Sequence, residues 1–298
     1  MLYNNLSGYL RGKYGRRLSK ICIDGGFCCP NRDGKCGTGG CIFCGERGAG
    51  EHIDGTAGIA EQVRAALLTA REDDLFIAYF QNFTNTYAPV NVLRERYGAA
   101  LIDPRIKILS VGTRPDCIDR EVTELLSEYG SEREVWVELG LQTANDETAL
   151  RINRGYMRDR FDEAISLLSE AGIPVVVHLM IGLPGEDMSD LRETVKYLSR
   201  FDIFGLKIHS VYVMKDTVLG EMYLKNLYTP PTLEEYAEAA AYVLSHTPES
   251  VVIHRITGDC PDGMLLAPEW NRNKHAVIEA INERLISLGQ SQGSEVNK

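Results

Sequence analysis

The chain has 298 residues, and its 32 Lys and Arg against 42 Asp and Glu give a formal net charge of −10. Hydrophobic residues make up 44% and charged residues 25%, which is typical of a folded globular protein, and no apolar stretch approaches the roughly 18 residues of a membrane-spanning helix. Because the first residues also lack the apolar segment of a secretory signal, we expect a cytoplasmic protein with no membrane partner.

Short apolar, β-branched segments alternate with amphipathic helical patterns along most of the chain. The predicted strands cover residues 18–23, 75–80, 106–111, 135–141, 175–181 and 204–213, and helical patterns lie between them. This alternation predicts βαβ units and therefore an α/β protein with a parallel sheet. Six successive units without a Gly-, Pro- or Ser-rich linker favour one continuous barrel-like sheet, and a doubly wound open sheet is the alternative.

The pattern changes after residue 213. A helix is predicted over residues 232–245, a further strand over 251–256 and a terminal helix over 270–288, while the polar residues from 290 onward are expected to fray. We therefore divide the chain into a basic N-terminal segment (1–18), a core barrel (19–250) and a C-terminal extension packed on the barrel (251–298).

Six of the eight cysteines fall within 23 residues, namely Cys22, Cys28, Cys29, Cys36, Cys41 and Cys44. In a reducing compartment such clustering predicts metal or redox chemistry rather than disulfides. A C-x2-C pair in a Gly-rich loop without a nearby His fits an iron–sulfur cluster, or a zinc ion that recruits Cys29, Cys36, Cys41 and Cys44. The loop directly follows the first strand, at the end of the sheet where α/β folds place active sites, and this favours a catalytic cofactor.

Strand alternation gives an independent indication of a site. In three predicted strands one face carries polar side chains, which are Glu138, Gln142, His178, Lys207 and His209. The outer face of a barrel packs on helices and must be apolar, so these side chains should point inward. Buried polar groups are costly unless they are paired or bind a ligand, so the pattern predicts a cofactor pocket.

The cysteine loop reads GGFCCPNRDGKCGTGGCIFC at residues 25–44, and further blocks follow in order. They include AYFQNFTNTYAP (78–89), VGTRPDC (111–117), ELGLQTANDETALRINRG (138–155), HLMIGLPGE (178–186), LKIHSVYVMKDT (206–217) and LLAPEW (265–270). With these motifs the chain resembles the radical S-adenosylmethionine (SAM) enzymes, in particular the YhcC/YtqA-type group related to the Elongator catalytic subunit. The resemblance covers roughly residues 15–275.

The resemblance implies a partial (β/α)6, TIM-like barrel with a short C-terminal α/β extension. It implies a [4Fe–4S] cluster held by Cys29, Cys41 and Cys44, with SAM on the fourth iron and reductive cleavage of SAM to a 5′-deoxyadenosyl radical. Cys28 is the alternative to Cys29 as a ligand. Cys36 is expected to be a spectator thiol, and Cys22 a small buried hydrophobic residue.

The same resemblance suggests the residues around SAM, namely Phe43, Gln81, Asn82, Thr84, Glu138, Gln142, His178 and Gly182. Phe43 would pack near the adenine, and the loop from Gln81 would hold the amino group. Glu138 would form a hydrogen bond with the ribose of SAM; the alternative interpretation is that Glu138 forms a buried ion pair with Lys207. Gly182 would bring its backbone to SAM or simply form a strand–helix turn. Cys117 is either a thiol beside the cavity that donates a hydrogen atom during the reaction or an inert, half-buried thiol.

The resemblance implies tRNA as the substrate, with chemistry on the carbon-5 substituent of the wobble uridine, and an electron donor such as flavodoxin or ferredoxin. Two basic segments, residues 1–20 and 151–160, are candidates for an RNA-facing rim, and ordinary surface charge is the alternative. The second segment holds Arg151, Arg154, Arg158 and Arg160. A small metabolite or peptide substrate, and a non-catalytic iron–sulfur or zinc protein, are the alternative functions.

Overall fold

A computed structural model describes residues 2–48, 50, 53, 55–260 and 263–296. Seven parallel strands form the main sheet in the order in which they occur along the chain. They are β1 (Leu18–Ile23), β2 (Leu75–Phe80), β3 (Ile106–Thr113), β4 (Glu134–Gln142), β5 (Val175–Ile181), β6 (Gly205–Ser210) and β8 (Val252–Arg255). Two short strands, β7 (Val213–Met214) and β9 (Leu265–Ala267), pair antiparallel beside it.

The sheet curls on itself. Lys207 on β6 donates from Nζ to the Tyr79 hydroxyl on β2 at 3.1 Å, although three strands separate β2 and β6 in the sheet. The partial α/β barrel is confirmed, and the doubly wound alternative is wrong because the strand order never reverses. The barrel has seven strands rather than six, and the seventh, β8, lies within the segment that we assigned to the C-terminal extension. The three-part division of the chain stays a prediction.

Ten α-helices connect the strands within the described part of the chain. They are α1 (Leu6–Tyr14), α2 (Ile59–Leu67), α3 (Val90–Ala100), α4 (Arg120–Gly130), α5 (Asp146–Arg151), α6 (Arg158–Glu170), α7 (Met188–Leu198), α8 (Val218–Leu224), α9 (Leu233–Ser245) and α10 (Lys274–Ser287). Several begin at side-chain caps, as α9 does at Thr232, whose hydroxyl accepts from the Glu235 amide. None of the described helices has the length and apolar character to cross a bilayer.

Helix α1 closes the barrel at the N-terminal ends of the strands. Its Leu10 is buried in a cluster with Trp136 and Val176, which point into the barrel from β4 and β5. Asn5, just before the helix, pairs with Ile253 of β8. The basic N-terminal segment therefore lies at the end of the barrel opposite the cysteine loop, and not at its mouth.

The C-terminal tail is ordered as far as residue 296, so the expected fraying is wrong there; residues 297 and 298 lie outside the described part. Gln292 is only 2% exposed. Its side-chain amide donates to the carbonyls of Pro248 and Val251 at 2.7 and 2.8 Å, and its Oε1 accepts from the Asn4 amide at 2.8 Å. One polar side chain thus ties the tail to the N-terminus and to the start of β8.

Candidate active site

A cavity of about 320 Å³ lies inside the curl of the sheet, and all seven parallel strands contribute to its lining. On β4 the lining residues are Glu138, Gly140 and Gln142, whereas Leu139 and Leu141 between them pack against the helices. The same alternation holds on β5 and β6, where His178, Met180, Lys207 and His209 face inward. The predicted polar inner face is therefore confirmed.

Three thiols of the cysteine loop line this cavity, Cys29, Cys41 and Cys44. A hydrogen bond between the Cys41 and Cys44 side chains lowers the pKa of Cys44 and, together with burial, raises that of Cys41. Cys28 and Cys36 are exposed and contribute nothing to the lining. Of the two neighbouring candidates for the first ligand, the structure therefore places Cys29, and not Cys28, toward the cavity.

The loop is anchored to the turn that follows α5. Asn31 donates from its side chain to the Asn153 carbonyl at 2.5 Å, and Asn153 donates to the Gly40 carbonyl at 2.7 Å. A Cβ at Gly37 or Gly155 would come within 2.1 or 2.7 Å of the Asn31 amide oxygen. Glycine at these two positions lets the loop fold tightly around Asn31 and present its thiols to one side.

Arg114 places a positive charge among the thiols. Its guanidinium approaches the Cys29 sulfur at 3.9 Å and the Cys36 sulfur at 3.4 Å, and it forms an ion pair with Asp116 at 2.8 Å. The side chain also stacks on the Tyr156 ring, with its central carbon 4.6 Å from the centroid. We did not predict this residue, although it lies in the VGTRPDC block.

The thiol arrangement fits an iron–sulfur cluster better than one metal ion. Among the residues that the structure describes, no group of three or more His, Cys, Asp or Glu side chains could hold a single ion. A structural zinc site needs four donors around one ion, so these residues give no support to the zinc alternative. A cluster binds its thiolates on separate irons, and three cysteines on one side of a cavity match that chemistry.

At the centre of the barrel, Glu138 joins a hydrogen-bonded network. Its Oε2 contacts Lys207 Nζ and lies 2.8 Å from His178 Nε2, while its Oε1 accepts from the Ser110 hydroxyl at 2.9 Å. Burial alone would raise the pKa of Glu138, but Lys207 and the His178 hydrogen bond outweigh it and hold the pKa well below its usual range. The ion pair considered for Glu138 is present, and its contact with ribose stays a prediction.

Two histidines and a lysine share this environment. Burial lowers the pKa of Lys207 to about 7, and the charges of Lys20 and Arg255 act in the same direction. Burial likewise lowers the pKa values of His178 and His209, whose rings lie 5.0 Å apart. Both imidazoles are thus neutral at pH 7, and each can accept as well as donate a hydrogen bond.

The remaining predicted residues divide between the cavity and its surroundings. Phe43, Gln81 and Thr84 line the cavity, as does Gln142, whose amide oxygen accepts from the Tyr156 hydroxyl at 3.1 Å.

Asn82 lies behind this wall, 1% exposed, and donates to Asp24 at 2.9 Å. Gly182 also lies outside the lining, with its carbonyl accepting from the Tyr228 hydroxyl at 2.6 Å. Cys117 is absent from the lining too, and burial raises its pKa to about 12, in agreement with the inert thiol that we considered. Its role as a hydrogen donor gains no support.

Two of our expectations about β1 and the basic segments need correction. Cys22 is half-buried: it packs on the apolar cluster with Tyr79 inside the barrel but also lines the cavity, as does Lys20 on the same face of β1. On β1, Lys20 and Cys22 alternate with Ile21 and Ile23, and this alternation predicts that Lys20 and Cys22 share the inner face. Of the basic segment 1–20, only Lys20 reaches the cavity.

The second basic segment is not a free cationic surface. Arg154 is only 1% exposed, with its guanidinium bonded to the Thr143 carbonyl at 2.7 Å. Arg158 lies 3.6 Å from Asp146, and Arg160 lies 2.7 Å from Glu163. Most of the positive charge that suggested an RNA-facing rim is therefore buried or paired.

The sequence matches known families along most of its length. Residues 33–198 match the family model of the Radical SAM superfamily, and residues 203–287 match that of the Radical_SAM C-terminal domain. The chain is 38% identical to YtqA of Bacillus subtilis over 98% of this chain and 92% of that protein. It is 36% identical to YhcC of Escherichia coli over 100% of this chain and 96% of that protein.

More distant similarities are partial. The chain is 34% identical to the tRNA uridine(34) acetyltransferase of Methanocaldococcus jannaschii over 53% of this chain and 29% of that protein. Among solved structures, an N-terminally shortened Elp3 of Methanocaldococcus infernus superimposes with a TM-score of 0.66 at 21% identity, covering 78% of this chain and 59% of that chain. At that identity the superposition shows a shared fold.

Proposed function

This chain belongs to the radical SAM superfamily, in the group of YtqA and YhcC, and from that membership we propose that it modifies the carbon-5 substituent of the wobble uridine of tRNA. The observation that carries the substrate assignment is the match to a tRNA uridine(34) acetyltransferase across 161 residues, 53% of this chain. A carboxymethylaminomethyl group is an example of such a substituent.

Enzymes of this superfamily bind a [4Fe–4S] cluster and SAM. We propose that Cys29, Cys41 and Cys44 hold the cluster, because they are the three thiols of the loop that line the cavity. When bound, cluster and SAM supply a 5′-deoxyadenosyl radical that removes a hydrogen atom from the substrate. A flavodoxin or ferredoxin serves as the electron donor.

The polar wall of the cavity orients SAM and the substrate. Phe43, Gln81, Thr84, Gln142 and His178 contact SAM in this proposal, since each already lines the cavity. Asn82 and Gly182 act one layer behind, where Asn82 positions the loop from Gln81 and Gly182 shapes the turn after β5.

Glu138 binds the ribose directly, or it orients the His178 imidazole through their hydrogen bond so that the imidazole binds the ribose. Because His178 is 21% exposed at its side chain and Glu138 only 1%, the imidazole is the member of the pair with the freer access to a ligand. Lys207 and the His178 hydrogen bond hold the pKa of Glu138 well below its usual range, which favours the charged carboxylate as an acceptor.

The experiment that tests this function is a nucleoside analysis of tRNA. Bulk tRNA from a strain without the gene is digested and compared with wild type by mass spectrometry, before and after complementation with the wild-type gene or with Cys41→Ala. We expect the wobble-uridine nucleosides to change in the deletion strain and to be restored by the wild-type gene alone. An unchanged profile would reject tRNA as the substrate.

A further inference from the structure

Lys20 and Arg255 lie on the two edges of the curled sheet. Lys20 belongs to β1 and Arg255 to β8, the first and last strands in the sheet order. Although 235 positions separate them in sequence (255 − 20), both side chains line the same cavity. Lys20 is exposed and Arg255 is 36% exposed at its side chain, so they lie where the cavity meets solvent between the two edges.

The cations at this gap outnumber the carboxylates that the protein places near them. Arg255 approaches Asp259 at 3.6 Å, but that carboxylate lies closer to Lys274, at 2.6 Å. Lys20 forms no ion pair within the described ranges, since the nearby carboxylate of Glu138 is already paired with Lys207, and the Lys20 ammonium lies 5.0 Å from the centroid of the Tyr79 ring. One carboxylate thus serves two cations and a third has none, in a protein of net charge −10.

The cofactors leave this charge unexplained. The cations near the cysteines, Arg32 and Arg114, face the thiols that we assign to the cluster. SAM brings a positive sulfonium, and its carboxylate belongs at the cluster in the proposed function. Neither group supplies a negative charge at Lys20 and Arg255, although paired guanidinium and ammonium groups are the usual partners of carboxylates and phosphates.

We infer that Lys20 and Arg255 form a binding site for an anionic group of the substrate, a carboxylate or a phosphate, at the gap between β1 and β8. Tyr79 supports the site, because its ring makes cation–π contacts with Lys20 and with Lys207, whose Nζ lies 4.4 Å from the ring centroid. That the anion belongs to an RNA rests on the proposed function, whereas the site itself does not.

Cys22 provides a probe of the site that needs no substrate. Its thiol lies two residues after Lys20, on the same face of β1, and lines the same cavity. Cluster-loaded protein is treated anaerobically with iodoacetate, an anion, or with neutral iodoacetamide, and alkylation of each cysteine is followed by peptide mass spectrometry. The ratio of the two rates reports attraction of an anion, because the acidity of the Cys22 thiol affects both reagents alike.

We expect the Cys22 ratio to fall about tenfold in the double variant Lys20→Gln/Arg255→Gln, since charged clefts raise local anion concentration by that order. Exposed Cys28 in the same digests is the internal control, and Lys225→Gln, which removes an exposed cation outside the cavity, is the matched variant. Equal Cys22 ratios in wild type and double variant would overturn the inference.

The source of the anion is distinguished with two anticodon stem-loops. One carries a carboxymethylaminomethyl group on the wobble uridine and the other an aminomethyl group, so both have the same phosphates. If the double variant weakens only the first complex, by about tenfold, the base carboxylate occupies the site; an equal loss for both assigns it to a phosphate. No loss for either would contradict the inference. If wild type binds neither stem-loop while the Cys22 ratio holds, the tRNA assignment fails and the anion site stands.

Discussion

Lys207 and Glu138 form an ion pair inside the barrel, with Nζ on β6 in contact with Oε2 on β4 and side chains only 4% and 1% exposed. Both charges keep further partners, since Lys207 donates to Tyr79 and Glu138 accepts from Ser110 and His178. Removing two charges from water is costly, and this dense set of hydrogen bonds is what compensates it.

Removing one member of this pair is expected to be more damaging than removing both. Glu138→Gln removes the group that raises the pKa of Lys207, so the buried amine loses either its counter-charge or its proton, and the free energy of unfolding should fall by about 3–5 kcal/mol. The double variant Glu138→Gln/Lys207→Met should recover most of that loss. Urea unfolding of the single and double variants measures the difference, and strictly additive effects would contradict the expected coupling.

The low pKa of Lys207 predicts a pH dependence of stability. Its pKa is about 7 in the folded protein and 10.5 when unperturbed, so between these values the unfolded chain binds the extra proton. Stability contributed by this group therefore rises with pH from 7 toward 10.5, by about 1.4 kcal/mol per pH unit at most.

Unfolding midpoints of wild type and Lys207→Gln are compared between pH 7 and 9. The variant should lack this part of the rise, while Tyr79→Phe, which removes a hydrogen bond but not the titrating amine, should keep it. Parallel curves for wild type and Lys207→Gln would show that the amine does not titrate in this range.

The position of the thiols predicts which cysteines hold iron. Cys29→Ser, Cys41→Ser and Cys44→Ser should each lose iron and sulfide after anaerobic reconstitution, because each removes a ligand from the cavity wall. Cys28→Ser and Cys36→Ser, which change exposed thiols outside the lining, should retain both elements at wild-type levels. Loss of iron in Cys28→Ser with retention in Cys29→Ser would assign the first ligand to Cys28.

Arg114 should tune the electron affinity of the cluster. Its positive charge, 3.9 Å from the Cys29 sulfur, favours the more negative, reduced state. Arg114→Gln should therefore lower the reduction potential by roughly 30–60 mV, the equivalent of a charge-assisted hydrogen bond of about 1 kcal/mol. Potentiometric titration followed by electron paramagnetic resonance measures the shift. Arg151→Gln, a change outside the cavity, is the control, and an equal shift there would contradict a local effect.

Gln292 should stabilise the fold although it lies only six residues before the last residue of the sequence. Gln292→Ala leaves the carbonyls of Pro248 and Val251 and the Asn4 amide without their partner, so we expect a loss of about 1–3 kcal/mol in the free energy of unfolding. The neighbouring change Gln290→Ala removes no hydrogen bond seen in the described structure and should be close to neutral. Similar losses in both variants would show that the tail contributes only nonspecific packing.

Much of the architecture and of the site could be predicted from local sequence patterns. Period-two alternation placed Glu138 and His178 on the inner face, since successive side chains of a strand point to opposite sides whatever lies around them. The position of the cysteine loop after β1 placed that loop at the mouth of the barrel, and the resemblance to a known family singled out Cys29, Cys41 and Cys44 within it. The same rule applied to β1 would have found Lys20 and Cys22.

The local patterns failed where distant segments meet. Arg154 belongs to a basic run yet fills a buried position, because the carbonyls of Leu141 and Thr143 accept hydrogen bonds from its guanidinium. Gln292 belongs to a polar tail yet is buried, because three backbone groups from elsewhere in the chain complete its hydrogen bonds. In both cases the polarity of the segment predicted an exposed side chain. The side chains are buried instead because backbone groups brought near them by the fold complete their hydrogen bonds.

The sequence by itself determined the elements, the face of each strand and the position of the cysteine loop after the first strand, because these follow from patterns within a few residues. The choice of three thiols within that loop came from the resemblance to a known family. The tertiary structure decided which charges share the cavity. Pairing determines which strands are adjacent in the sheet. The curl of the whole sheet brings Lys20 on the first strand and Arg255 on the last strand to the same gap. The curl accumulates from strand to strand across all seven strands, so it cannot be predicted from the residues next to Lys20 or Arg255.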